Sequence, residues 1–178
     1  MAKITLDEIR QLLRVVPDFP TKGIQFCDIF PLFQRPDVIE AIIDRLVDHV
    51  RTQVKTPVDV VVGLDARGFL FGPMLAIRLG AAFAPVRKQG KLPGQTTQAR
   101  YSKEYGEDVF EMQSDAVQPG QCVVIIDDLI ATGGSAKAAE DLVKQQGGIV
   151  ATYLFLIELP ELGGSKVLNS PVFSLLEF

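Results

Sequence analysis

A single histidine, His49, in 178 residues removes two kinds of chemistry at once. One imidazole builds neither a histidine-based catalytic triad nor a histidine-rich metal centre. His49 itself sits in a stretch of helical periodicity, on or beside the polar face. Cysteine is nearly as scarce: Cys27 and Cys122 lie far apart and neither has a partner at metal-ligand spacing. Cys122 begins an apolar run and reads as a small core residue. No apolar run approaches the roughly 18 residues needed to span a bilayer. The opening MAKITLDEIR places acidic residues where a signal peptide needs an apolar segment, so the chain is expected in the cytoplasm and off the membrane. Positive charge is not in excess either. A net charge of −4 argues against a general binder of nucleic acid, whose phosphates are held by clustered Lys and Arg.

What is present suits one globular domain: 47% hydrophobic residues in a chain long enough to bury a sizeable core. The most informative stretch is CVVIIDDLIATGGSAK at 122–137. Val123, Val124, Ile125 and Ile126 form a continuous β-branched run, the pattern of a strand covered on both faces of a parallel sheet. Two acids, Asp127 and Asp128, follow, then Ala131, Thr132, Gly133, Gly134 and Ser135. Beyond them Ala136, Ala138, Ala139, Leu142 and Val143 recur at helical spacing, so the stretch predicts strand, polar loop, helix. A helix start offers unpartnered N–H groups and a partial positive charge, and a small-residue loop leading into it is suited to a phosphate. The spacing is neither that of a Walker A loop nor Gly-x-Gly-x-x-Gly. A phosphate cup beside a double acid points to a ligand with both phosphate and vicinal hydroxyls, such as a ribose phosphate.

Around this stretch, Thr5-Leu6-Asp7-Glu8 predicts a capping box and a short helix ending before Pro17. The proline- and phenylalanine-rich segment 15–36 predicts an irregular but packed region, in which Phe26 offers a face for a planar base. Residues 37–53 predict an amphipathic helix capped by Asp37. A second strand-turn-helix unit runs through 58–79 and closes at Gly80; its turn places Arg67 at the carboxyl end of a parallel strand, where open α/β sheets bind ligands. A short strand at 83–86 leads into Arg87, Lys88 and Lys91, a cationic loop suited to a pyrophosphate. Residues 92–106 predict a long polar loop with the character of a lid, carried by a hairpin strand at 108–112. Strands at 149–159 and 172–176 complete the chain, the last at a sheet edge.

The run Val124-Ile125-Ile126-Asp127-Asp128-Leu129-Ile130-Ala131-Thr132-Gly133-Gly134-Ser135 resembles the signature of type I phosphoribosyltransferases, which use 5-phosphoribosyl 1-pyrophosphate. Four further stretches narrow the resemblance to the adenine phosphoribosyltransferase family over essentially the whole chain. They are PDFP at 17–20 with GIQF at 23–26, GLDARGFLFGP at 63–73, VRKQGKLPG at 86–94 and YSKEYG at 101–106. The resemblance implies an α/β fold with an open, mostly parallel sheet flanked by helices, a small N-terminal base-binding hood at 1–35, and a flexible lid loop and hairpin at 87–113, all in one domain. It implies that Ala131, Thr132, Gly133, Gly134 and Ser135 wrap the 5′-phosphate and that Asp127 and Asp128 lie along the ribose. Asp65, Ala66, Arg67, Arg87, Lys88 and Lys91 would surround the pyrophosphate, with Arg87 from the same or a neighbouring subunit. The Asp65–Ala66 peptide is the place where such enzymes carry a strained, sometimes cis, bond.

Gln25, Phe26 and Cys27 would read and stack the adenine, and Glu104 on the lid would act as the acid assisting attack by adenine N9. Magnesium would be held mainly by substrate oxygens, with no direct protein ligand, and the enzyme would be a cytoplasmic homodimer. Cys27 and Ala66 depart from the family pattern, which often has Arg and Ser there. The expected reaction is phosphoribosyl transfer to adenine, giving AMP and pyrophosphate. A 6-oxopurine or orotate phosphoribosyltransferase stays open as an alternative, as does a non-catalytic sensor of phosphoribosyl pyrophosphate.

Overall fold

Thr5 begins the first helix as its sequence predicts. In the computed structural model, which describes residues 4–103 and 106–178, α1 (Leu6–Leu12) opens with a complete capping box. Glu8 N donates to Thr5 Oγ1 at 3.2 Å and Thr5 N donates to Glu8 Oε2 at 2.6 Å, satisfying two of the orphan N–H groups of a helix start. The chain divides into two units, residues 1–46 and 47–178.

In the first unit the segment expected to be irregular contains a two-stranded antiparallel hairpin, β1 (Arg14–Pro17) with β2 (Gln25–Asp28). Val16 pairs with Phe26 and Val15 with Cys27. A 3-10 turn, Phe30–Gln34, follows. Helix α2 (Pro36–Gln53) then runs on into the second unit. Asp37 is not its cap. Pro36 occupies the first helical position, where its missing N–H costs nothing, and Asp37 in the first turn instead receives a hydrogen bond from Arg35 Nη2 at 2.6 Å.

The second unit is built on a seven-stranded sheet. Its strands are β3 (Val60–Leu64), β4 (Ala82–Lys88), β5 (Thr96–Lys103), β6 (Gly106–Gln113), β7 (Cys122–Ile130), β8 (Ile149–Glu158) and β9 (Val172–Glu177). Their order across the sheet is β5-β6-β4-β3-β7-β8-β9. The five strands from β4 to β9 in that order pair in parallel, and the β5/β6 hairpin joins β4 antiparallel. Helix α3 (Gly68–Leu79) links β3 to β4, and α4 (Gly134–Gln145) links β7 to β8. The two crossovers step in opposite directions across the sheet, and right-handed connections then place the helices on opposite faces. The side chains agree. Val60, Val62, Leu64, Ala84 and Val86 share a core with Ala138, Ala139, Leu142 and Val143 of α4, whereas a Cβ on Gly63 or on Gly72 of α3 would strike Phe83.

Three expectations about loops give way. β4 continues through Arg87 and Lys88, so those two cations stand on a strand end, paired with Glu111 and Phe110 of β6. The polar run TTQARYSK, read as loop, is strand β5, because alternation places Ala99 inward and Tyr101 against Phe110 at 4.7 Å while Gln98 and Arg100 are exposed. β7 extends past the apolar run through both acids to Ile130.

The buried side of α4 carries one charged group, Glu140, with no exposed surface. It accepts from Lys137 Nζ at 3.0 Å and Asn169 Nδ2 at 2.7 Å, and from Lys144 Nζ. His49 lies half-buried on α2, its ring stacked on Phe173 at 3.9 Å. Burial lowers its pKa. Among the described residues no helix is long and apolar enough to cross a membrane.

Candidate active site

At the carboxyl end of β7 the side chains alternate, leaving Asp127 half-buried and Asp128 buried. Asp128 N donates to Asp127 Oδ1 at 2.9 Å. Burial pushes the Asp127 carboxyl well above the usual range; the neighbouring Asp128 charge adds to this and Arg67 opposes it. Arg67 stands at the start of α3, its Nε 2.6 Å from Asp128 Oδ2. One guanidinium therefore acts on two adjacent acids, ion-paired with Asp128 and opposing the burial that raises the Asp127 carboxyl.

Arg67 reaches β7 because α3 starts almost in contact with it. A Cβ on Gly68 would lie 2.7 Å from Ile126 O and 3.2 Å from Asp127 Oδ1, so only glycine lets the helix come that close.

Past Ile130 the chain forms a tight cup. Asp127, residues 129–136 and Phe155 line a cavity at the entrance to α4. Gly133 has φ +82°, and a Cβ there would also lie 2.5 Å from Gly164 O. The cup is backed by the 3-10 turn Gly164–Val167, whose Gly164 is equally constrained, its Cβ position lying 2.3 Å from Ala131 O. Ala131, Thr132, Gly133, Gly134 and Ser135 thus present a loop and a helix N-terminus to one concavity, the arrangement that binds phosphate through backbone N–H groups and the helix dipole.

On the next strands, the Asp65–Ala66 peptide is cis, at the position expected from sequence. Asp65 Oδ2 accepts from Arg87 Nε at 2.9 Å, and Arg87 Nη1 donates to Lys91 O at 3.1 Å. The guanidinium also lies 5.9 Å from the centre of the Phe69 ring. Lys88 and Lys91 are exposed, and Lys88 Nζ is 3.5 Å from Asp108 Oδ2. Asp108 was not singled out from sequence; its one signal was a place on the hairpin strand beside the cationic segment. Asp65, Ala66, Arg67, Arg87, Lys88 and Lys91 thus all lie at or just beyond the carboxyl ends of the neighbouring strands β3 and β4.

The three residues expected to read a base belong to the first unit. Phe26 is half-buried on β2, with Phe19 packed edge-on at 5.0 Å. Cys27 follows it, and Gln25 is exposed. Asp28 anchors the hairpin: Arg14 forms an ion pair with it, and its Oδ1 accepts from Phe30 N at 2.9 Å. Glu104, the expected acid, lies outside the described residues.

The chain is similar to known proteins over most of its length. The profile of the phosphoribosyl transferase domain matches residues 32–161. The chain is 54% identical over 170 residues to an adenine phosphoribosyltransferase of Yarrowia lipolytica, covering 95% of this chain and 93% of the relative. It is 53% identical over 161 residues to the corresponding protein of Caenorhabditis elegans, covering 90% and 86%. Its fold matches the crystal structure of the Saccharomyces cerevisiae adenine phosphoribosyltransferase, complexed with adenine and an imino-altritol bisphosphate. The TM-score is 0.92 at 47% identity, covering 96% of this chain and 97% of that one. A Trypanosoma brucei enzyme in complex with AMP, pyrophosphate and ribose-5-phosphate matches with TM-score 0.88 at 27% identity, covering 96% and 78%.

Proposed function

The chain belongs to the adenine phosphoribosyltransferase family, and we propose that its phosphate cup, paired acids and cationic loops carry out that family's transfer. The reaction moves the 5-phosphoribosyl group from phosphoribosyl pyrophosphate to adenine, giving AMP and pyrophosphate, a step of purine salvage. The observation that carries the site assignment is the cup at the start of α4 lying directly beyond Asp127 and Asp128, with Arg67 crossing from α3 to Asp128.

In this reading the 5′-phosphate sits in the loop of Ala131, Thr132, Gly133, Gly134 and Ser135, and Asp127 and Asp128 accept the ribose hydroxyls. As C1 of the ribose parts from pyrophosphate, positive charge grows on the ring and negative charge on the leaving group. Arg67, Lys88 and Lys91 stabilise the second, while Arg87, held by Asp65, shapes the loop that carries Lys91. Adenine stacks on Phe26, with Gln25 and Cys27 reading its amino edge through the backbone. Glu104 hydrogen-bonds or protonates the purine's other imidazole nitrogen as N9 attacks; the proton that N9 gives up passes to the departing diphosphate, and Glu104 takes its own proton back once the N9–C1 bond is formed. The hairpin at 87–113 closes over the activated ribose and excludes water.

The described residues bring together no group of three potential metal ligands, and Asp128 is already engaged by Arg67. That donor set suits a Mg²⁺ carried in on the oxygens of the diphosphate, where it would neutralise charge on the leaving group. A cytoplasmic homodimer is part of the proposal, and sedimentation of the purified protein checks the dimer.

Incubation with phosphoribosyl pyrophosphate, Mg²⁺ and each candidate base tests the assignment. AMP is the expected product. Turnover with hypoxanthine, guanine or orotate, but not adenine, would overturn the choice of base. Binding without turnover of any base would leave a sensor.

A further inference from the structure

Glu111 is the one buried acid of the β5/β6 hairpin among the described residues, 3% exposed, and nothing in the proposed reaction uses it. Its Oε1 accepts from both Lys91 N and Leu92 N at 3.0 Å, and its Oε2 accepts from Thr96 Oγ1 at 3.2 Å. Burial by itself pushes this carboxyl up, but the amides of Leu92, Gly90 and Lys91 and the Thr96 hydroxyl outweigh it and leave the pKa below the ordinary value. In the sheet Glu111 stands opposite Arg87 of β4. Arg87 holds the other side of the same residue, donating from Nη1 to Lys91 O at 3.1 Å while its Nε is bound to Asp65 Oδ2. The backbone N–H and C=O of Lys91 are therefore each fixed by a charged side chain, and Gly90, at φ +79°, makes the turn that brings them there. The Lys91 side chain is left exposed.

We propose that Glu111 is a positioning residue for the pyrophosphate loop: its buried carboxylate holds the amides of Lys91 and Leu92 so that the Lys91 ammonium is presented to the leaving group. The inference rests on the assignment of Lys91 to the pyrophosphate. A carboxylate suits the task because it only accepts, and it can take several N–H and O–H donors converging from one turn. Ordering the loop before the substrate arrives removes the entropy cost of ordering it on binding.

The test is steady-state kinetics of Glu111→Gln, Lys91→Ala and the double variant, with thermal unfolding of each. Glu111→Gln keeps the shape but turns an amide NH₂ toward donors. It should raise KM for phosphoribosyl pyrophosphate about tenfold, raise the inhibition constant of pyrophosphate in parallel, and leave KM for adenine within about twofold. Lys91→Ala should also raise the first KM, and the double variant should be no worse than Lys91→Ala, because the two side chains act through one contact. If Lys91→Ala changes nothing, the assignment of Lys91 itself fails. If Lys91→Ala weakens binding but Glu111→Gln does not, or the two effects simply add, the positioning role alone fails. Should Glu111→Gln not fold, Thr96→Val removes one donor and should raise the same KM by about two- to threefold; an unchanged KM overturns the proposal.

Discussion

Replacing Glu140 by Gln should make the protein's stability less sensitive to acid, by an amount the structure lets us work out. The carboxylate has no exposed surface. Burial pushes its pKa up, but donors led by Lys144 and Asn169 bring it down to about 2 from an ordinary 4.5. At about 1.4 kcal/mol per pH unit that difference amounts to about 3 kcal/mol. The side chains of Lys137 and Lys144 remain 35% and 49% exposed, and solvent screening reduces the figure to about 2 kcal/mol. Because the folded pKa lies below the unfolded one, this stability is fully present above pH 4.5 and is lost as pH falls through the region of 2. Glu140→Gln preserves the shape and cannot titrate. Urea unfolding of both proteins at a series of pH values from 7 to 2.5 should show the variant weaker by about 2 kcal/mol at neutral pH, the gap closing in acid. A gap that stays constant with pH would refute the reasoning, since it would mean the carboxylate is not held ionised by its neighbours.

Three further outcomes follow from the site. Glu104→Ala should lower kcat by about a hundredfold or more and leave the dissociation constant for phosphoribosyl pyrophosphate within about twofold; unchanged turnover removes Glu104 from the chemistry. Asp128→Ala should weaken that substrate at least about tenfold by calorimetry, and an unaltered dissociation constant would count against the ribose role. Gly164→Ala would push a methyl to within 2.3 Å of Ala131 O. It should cost about 1–3 kcal/mol of stability and raise KM for phosphoribosyl pyrophosphate while sparing that for adenine, as unfolding and kinetics together would show.

The parts of the fold legible in the sequence were those whose local pattern and final environment agree. Val60 to Leu64 and Val123 to Ile126 are apolar at every position because both faces of those strands are covered. The β1/β2 hairpin was hidden because each strand is only four residues long, β1 is mostly exposed and β2 grades from exposed Gln25 to buried Asp28, so no alternation develops among the prolines and phenylalanines. β5 was hidden by its polar composition: only Ala99 on it is fully buried among the described side chains. The cup at the start of α4 is a contiguous motif in the sequence. The contacts that give it shape are not, since Arg67 on Asp128, Gly164 beneath Ala131 and Glu111 beneath Lys91 each join residues far apart in the chain. Glu111 in particular carried no sequence signal beyond an acid between Phe110 and Met112.

The strand order also acts as a ruler. The cup proposed for the phosphate follows β7, the Lys88 and Lys91 segment runs from the last residue of β4 into the turn beyond it, and the single strand β3 stands between them. Two steps of about 4.8 Å separate the two proposed anion sites along the sheet, about 10 Å in all. That span suits a five-membered sugar with a phosphate on one side and a diphosphate on the other. On the proposed assignment a molecule bearing only one of those groups would grip a single end, and the spacing of backbone hydrogen bonds in the sheet, rather than any one side chain, would select for ligands charged at both extremities.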